Sequence, residues 1–146
     1  MTNDTKFYDV TIREVPLEVA LLMLRQVQYG VAPMVWTNVP HQVFFYNSLA
    51  FEFGYDGKGP RDLALNVCEW YLTRIAYQGQ RMSEVQGPRC GIGDAFRLSF
   101  ALHIDFTQAF IEKAPRAGAV VPFENIRDWF RSHLTPDLLE KFKSAE

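Results

Sequence analysis

The order of apolar and polar positions divides the first third of the chain into short stretches of different type. Residues 7–15 (FYDVTIREV) alternate loosely and favour β structure, which predicts a strand ending before Pro16. Residues 17–27 (LEVALLMLRQV) are good helix formers after a proline suited to a first turn, which predicts a helix ending near Gly30. From there to Gly54, the runs MVWT, QVFFY and LAFEF predict three short antiparallel strands.

The pattern then becomes helical. Residues 61–76 (RDLALNVCEWYLTRIA) predict a helix that is apolar except for one line of polar side chains. Asp62, Asn66, Glu69 and Thr73 follow one another at steps of four, three and four, which places them on a single stripe. Such a stripe is typical of a helix face exposed to solvent.

The second half contains a predicted long loop and a second long helix. Residues 79–93 hold four glycines, a proline and two arginines, which predicts a loop with little regular structure. Loops of this length in compact domains are more often functional than not. Residues 95–113 predict a helix that is capped by Asp94 and ends before Pro115.

Two further helices complete the predicted architecture. Phe123, Ile126, Phe130 and Leu134 recur at helical spacing, and Thr135 is a suitable cap for a last short helix. No linker or repeat divides the chain. We therefore expect a single α+β domain over residues 1–146, with a short antiparallel sheet packed against several helices.

Composition narrows the classes of function. The chain has 146 residues with a formal net charge of -2, so no general field draws it to nucleic acid or to an anionic membrane. Its 12 Phe, 6 Tyr and 3 Trp exceed what so small a core needs, which predicts self-association into a homo-oligomer.

The two cysteines and the apolar runs bear on location. Cys68 and Cys90 are 22 residues apart without a second pair, so neither a zinc site nor a disulfide framework is indicated. Reduced thiols in a cytoplasmic protein are the simplest interpretation. The N-terminus lacks an apolar signal core, and no apolar run is long enough to span a membrane.

The glycine-rich segment at residues 51–66 (FEFGYDGKGPRDLALN) is open to two interpretations. Its glycines precede a predicted helix, so backbone N–H groups there, aided by Lys58 and Arg61, can form an anion-binding concavity. The spacing matches neither a P-loop nor a Rossmann turn. The same glycines also suit a tight turn between a strand and a helix, with Pro60 in the first helical turn.

If the segment binds an anion, arginines from the later loop are the expected partners, because guanidinium groups bind anions in bidentate fashion. Tyr55 and Tyr77 flank the helix and are candidates for stacking on a base. Asn66 is a candidate for reading a ligand edge, although a place on the solvent-facing stripe explains it equally well. The candidate ligand-binding residues are Tyr55, Gly57, Lys58, Gly59, Arg61, Asn66, Arg81, Arg89 and Arg97.

No catalytic, metal-binding or cofactor-binding group is indicated. His103 with Ser99 is the nearest approach to a base and its partner, but a single histidine within an apolar helix is usually a hydrogen-bonded core residue. No acidic residue completes a triad, and no pair of carboxylates stands out for acid–base chemistry. The pattern therefore favours a binding protein over an enzyme.

The stretch from Phe51 to Leu65 resembles the pattern F-x-W-G-Y-x-G-x-G-P-x-D-L-A-L of a family of small domains of unknown function found in bacteria and phages, with Phe53 in place of tryptophan. The resemblance covers roughly residues 42–134. Its later helix, proline turn and final helix correspond to residues His103, Ile104, Asp105, Phe106, Phe110, Ile111, Pro115, Ile126 and Trp129.

The resemblance implies an α+β domain in a phage or mobile-element setting, with no established reaction. Taken with the glycine-rich segment, it leads us to expect a non-catalytic protein of phage type. Such a protein would capture a small anionic, nucleotide-derived signal in the host cytoplasm and counter host defence. The alternative is a protein-interaction module that docks on a host protein, in which case the glycines are purely structural.

Overall fold

A computed structural model describes residues 14–28, 31–46, 50–77, 89–90 and 95–142. The strands are Ala20–Gln28 (β1), Val31–Thr37 (β2), Arg89–Cys90 (β3), Ala95–Phe96 (β4) and Gly118–Pro122 (β5). The helices are Lys58–Tyr71 (α1), Arg97–Phe106 (α2), Phe123–His133 (α3) and Pro136–Phe142 (α4). α1 continues into a π-helical turn at Leu72–Ala76, and α2 continues into another at Thr107–Ile111. The predicted α+β class is confirmed.

The main sheet has three antiparallel strands in the order β2-β1-β5. β1 is the central strand, and its side chains alternate between two faces. Leu21 and Met23 are fully buried in the main core, together with Val121 of β5. The pairs Leu22 with Val120 and Leu24 with Trp36 lie on the opposite face. A separate two-stranded ladder joins β3 to β4.

The helix predicted for residues 17–27 is wrong, because most of this stretch forms β1. A central strand with apolar side chains on both faces produces a continuous apolar run, which periodicity alone cannot distinguish from a buried helix. Here the backbone pairs with β2 on one side and β5 on the other. Tertiary pairing therefore overrides the helix preference of leucine and methionine.

Only one of the three strands predicted between Gly30 and Gly54 is confirmed. MVWT lies within β2, whereas residues 41–46 and 50–53 have no regular structure. Their backbone groups bond instead to side chains, as described below for Asn66. β5 was not predicted, because its five residues follow directly on a turn and carry little alternation. The strand predicted for residues 7–15 falls almost entirely outside the described residues.

The helical predictions from residue 61 onward are largely confirmed, with shifted ends. α1 begins at Lys58, so Pro60 lies within its first turn, where the missing N–H costs nothing. α2 begins at Arg97 with Phe96 at its N-cap, whereas the predicted cap Asp94 lies outside the described residues. The cap at Thr135 is confirmed, because its hydroxyl accepts the N–H of Leu138 at 3.2 Å.

α1 packs against α2, and both contribute to the core beneath the sheet. Aromatic rings fill the space between these helices and α3. Tyr71 of α1 stacks in parallel on Phe130 of α3 with ring centroids 4.1 Å apart, and Phe106 of α2 packs against the same ring. No helix within the described ranges is long and apolar enough to cross a bilayer.

Candidate functional site

The glycine-rich segment forms a turn that is fixed by a backbone hydrogen bond and by two buried phenylalanine rings. Gly54 has φ +92°, a conformation that side chains with a Cβ rarely adopt. Its N–H donates to the carbonyl of Ile111 at 2.9 Å, which ties the turn to the end of α2's π-helical continuation. The buried rings of Phe51 and Phe53 secure the chain just before the turn.

The other two glycines make room for particular side chains. A Cβ at Gly57 would lie 2.8 Å from the ring of Tyr55, and a Cβ at Gly59 would lie 2.8 Å from Cβ of Glu52. Both distances are too short for real contacts. Gly57 therefore permits the Tyr55 ring to fold back on the turn, and Gly59 permits α1 to start against Glu52.

These two side chains, Glu52 and Tyr55, line an open cavity of about 260 Å³ beside the turn. The cavity lies where β1, the glycine-rich segment and the turn before β5 meet. Among the described residues, its lining consists of Arg25, Glu52, Phe53, Gly54, Tyr55 and Arg116. The described lining thus includes two arginines and one glutamate, and Tyr55, which is 49% exposed, forms part of the wall.

Arg25 is the most firmly held of the lining residues. It donates from Nε to the carbonyl of Arg116 at 3.0 Å, from Nη1 to Glu52 Oε1 at 3.1 Å and from Nη2 to the carbonyl of Phe53 at 3.0 Å. Its guanidinium carbon also lies 4.6 Å from the centre of the Phe53 ring. A guanidinium has five N–H donors, so two remain without a partner in the described part of the chain.

Arg116 and Glu52 also retain binding capacity. The Arg116 side chain is exposed and forms no ion pair or side-chain hydrogen bond within the described ranges. Glu52 uses Oε1 for Arg25, and its second carboxylate oxygen has no hydrogen-bond donor among the described residues. The residues that line the cavity therefore include unused N–H donors and an unused carboxylate oxygen.

Arg61, a predicted ligand-binding residue, is already paired. Its Nε and Nη2 donate to the two carboxylate oxygens of Asp56 at 2.8 and 2.9 Å, a bidentate geometry. This hydrogen bonding holds the pKa of Asp56 below its usual value. Lys58 is exposed at the first residue of α1. Neither side chain lines the cavity, whereas Tyr55 does.

Asn66 has a structural position. It is fully buried, and its Oδ1 accepts the backbone N–H groups of Gln42 and Val43 at 2.7 and 2.8 Å. Its Nδ2 donates to the carbonyls of Val43 and Asp62 at 3.0 and 2.9 Å. The amide thus replaces the strand partner that residues 42–43 lack.

The expectation that this stripe of α1 faces solvent is wrong. Asp62, Asn66 and Glu69 are all buried, because the irregular segment 41–46 and the start of α2 cover them. Asp62 Oδ2 lies 3.0 Å from His41 Nε2, and Glu69 Oε1 accepts the N–H of Phe96 at 3.2 Å. The helical period located the stripe correctly but could not show what covers it.

Of the three later arginines, Arg97 has a described side chain, and it does not line the cavity. Arg97 is exposed at the first residue of α2, and Arg89 is described only as backbone in β3. Arg81 lies outside the described residues. The sequence did not single out Arg25 and Arg116, although Arg25 is the only charged residue in β1, which is a usable signal. A charge in a central strand needs local partners.

His103 is a buried residue of α2 with two hydrogen-bonded nitrogens. Nδ1 lies against the carbonyl of Phe100, so it carries the proton, and Nε2 accepts from the hydroxyl of Tyr46. Burial lowers the pKa of His103 below its usual value, which favours this neutral form. Ser99 is also buried, and its hydroxyl has no hydrogen-bond partner in the part of the chain described. These contacts fit a structural histidine.

The described residues contain no group of three or more His, Cys, Asp or Glu side chains that could hold a metal ion. No family model, curated protein or solved structure matches the chain. The resemblance of the glycine-rich segment to the bacterial and phage family therefore stays a prediction.

Proposed function

We propose that this protein binds a small anionic ligand in the cavity beside the glycine-rich segment, without catalysing a reaction on it. The observation that carries the proposal is the wall formed by Arg25 and Arg116 next to the exposed ring of Tyr55. The glycines contribute indirectly, because they make the space in which Tyr55 and Glu52 stand.

The charge of the cavity supports an anion. Among the described lining residues, two guanidinium groups and one carboxylate leave a net positive charge. Arg25, whose side chain is only 10% exposed, is shielded from competing water. Preorganised guanidinium groups bind phosphate and carboxylate in a fixed geometry. Arg25 is preorganised here by three hydrogen bonds.

The size of the cavity limits the ligand. Its volume of about 260 Å³ is below the range of roughly 300–1,000 Å³ that is common for sites of drug-sized molecules. A ligand no larger than a nucleoside monophosphate is therefore the appropriate scale. The resemblance of the glycine-rich segment to the bacterial and phage family indicates the biological setting of this binding. In that setting, the protein sequesters a nucleotide-derived signal of the host.

A thermal-shift screen with inorganic phosphate, ribose 5-phosphate and nucleoside monophosphates tests the proposal. Stabilisation by at least one of these anions is expected, since ligands that bind only the native state raise the midpoint. Arg116→Ala should abolish it. Arg74→Ala is the matched control, because Arg74 is exposed after α1 and does not line the cavity. No response to any anion, or an equal loss in both variants, would contradict the proposal.

A second candidate is a protein-interaction module, and the outer face of the sheet favours it. This face carries Leu22, Leu24, Met34, Trp36 and Val120, with Met34 49% and Val120 59% exposed. Apolar side chains grouped on an exposed face mark interaction surfaces. If the face mediates self-association, light scattering at micromolar concentration should give a mass above the monomer, reduced by Val120→Lys. A monomeric mass for the wild-type protein would exclude self-association.

A further inference from the structure

We infer that the cavity takes a nucleoside monophosphate whose base carries an exocyclic amino group, and that Glu52 is the residue that recognises this amino group. The inference rests on the proposed function, because it names the ligand class of the same cavity. It follows from three features of the lining residues: a carboxylate with one unused oxygen, an exposed ring whose edge lies on the turn, and unused guanidinium N–H groups.

The carboxylate determines which edge of a ligand fits. An ionised carboxylate accepts hydrogen bonds and cannot donate them. Glu52, which lines the cavity, gives one oxygen to Arg25, and its other oxygen has no donor among the described residues. A purely anionic ligand would be repelled by this oxygen, whereas an amino group would donate to it. In a cavity for phosphate alone, Glu52 would only hold Arg25 in place, and its second oxygen would oppose the ligand.

The Tyr55 ring supplies the surface for a planar base. It is half exposed, and the absence of a side chain at Gly57 lets its edge rest directly on the turn. Aromatic side chains of this kind stack on bases irrespective of base identity. Selection between bases must therefore come from the polar group nearby, which is Glu52.

The guanidinium groups supply the contacts for the phosphate. Arg116 is unpaired within the described ranges, and Arg25 keeps two N–H donors after its three internal bonds. Arg25 also links the two halves of the site, since it binds both Glu52 and the carbonyl of Arg116. The base-recognising carboxylate and the phosphate-binding arginine are thus held by one side chain.

Isothermal titration with adenosine monophosphate and purine riboside monophosphate tests the inference, because these ligands differ only in the amino group. The wild-type protein should bind the adenosine compound about tenfold more tightly or better, the effect of one hydrogen bond to a charged acceptor. Glu52→Ala should bring the ratio close to one. The ratio is used because removing Glu52 also frees Arg25, which changes the affinity for both ligands equally.

Ribose 5-phosphate serves as the third ligand and distinguishes anion binding from recognition of the base. If all three compounds bind with similar affinity, base recognition is overturned while anion binding stands. If none binds, the proposed function itself fails. If Glu52→Ala does not fold, Glu52→Gln, which keeps the size of the side chain, should lower the ratio. An unchanged ratio in a folded variant would overturn the role of Glu52.

Discussion

Replacing Asn66 by alanine should lower the free energy of unfolding substantially, because a single buried amide supports a chain segment that has no regular structure. The side chain bonds both the N–H and the C=O of Val43, a residue that is itself almost fully buried. It also accepts the N–H of Gln42, but that residue is exposed, so water can replace this contact.

The magnitude follows from the two buried groups. A buried donor or acceptor that loses its partner costs about 1–3 kcal/mol, so the N–H and C=O of Val43 together cost about 2–6 kcal/mol. For a chain near this size, each 1 kcal/mol shifts the thermal midpoint by about 2–4 °C. A central value of about 4 kcal/mol then predicts a midpoint about 8–16 °C lower.

Urea unfolding monitored by circular dichroism measures this difference. Asn125→Ala is the matched control, since Asn125 is exposed on α3 and its replacement by a better helix former should change stability by less than about 0.5 kcal/mol. The reasoning is refuted if Asn66→Ala is no less stable than Asn125→Ala. That result would mean that Val43 finds other partners at no cost.

Three further predictions follow from single positions. Gly54→Ala should destabilise the fold by about 1–3 kcal/mol in urea unfolding, because Gly54 has a positive φ. Gly57→Ala should unfold near the wild-type midpoint, because only the Tyr55 ring must move to make room for the new side chain. The same movement should weaken the binding of adenosine monophosphate. Because burial lowers the native pKa of His103 below 6.5, the unfolded chain binds more protons as the pH falls through 6.5. The free energy of unfolding should therefore drop as the pH falls through 6.5 and level off only below the native pKa, and His103→Gln should remove that part of the slope. Equal slopes in both proteins would contradict this. Burial raises the pKa of the Cys68 thiol, so iodoacetamide should modify Cys68 only after denaturation, and peptide mapping that finds it modified in the native protein would disprove its burial.

The pattern of apolar and polar residues was sufficient to predict the elements that depend on local interactions. α3 has one apolar face, and α1 is apolar except for one polar stripe, so helical periodicity predicted both of them well. The prediction for β1 was wrong because its strand conformation depends on β5, which pairs with it from near the other end of the chain. Its apolar residues suit a buried helix and a central strand equally, and only the partner decides between them.

The residues of the candidate site also divide into those that the sequence predicted and those that depend on distant parts of the chain. The glycine-rich segment was predicted to matter, and three of the ligand-binding residues predicted in it either line the cavity or shape it: Tyr55, Gly57 and Gly59. Arg25 and Arg116 could not be predicted as its companions, because β1 was assigned as a helix and the turn before β5 was not assigned at all. Asn66 looked like a surface residue because a helical stripe carries no information on what covers it.

A crystal structure of the protein with saturating adenosine monophosphate tests the central claim most directly. The account predicts electron density for the phosphate at Arg116, for the base over the Tyr55 ring and for its amino group within hydrogen-bond distance of Glu52. Nucleotide bound elsewhere, or an empty cavity in crystals where Arg116 is free of lattice contacts, would contradict it.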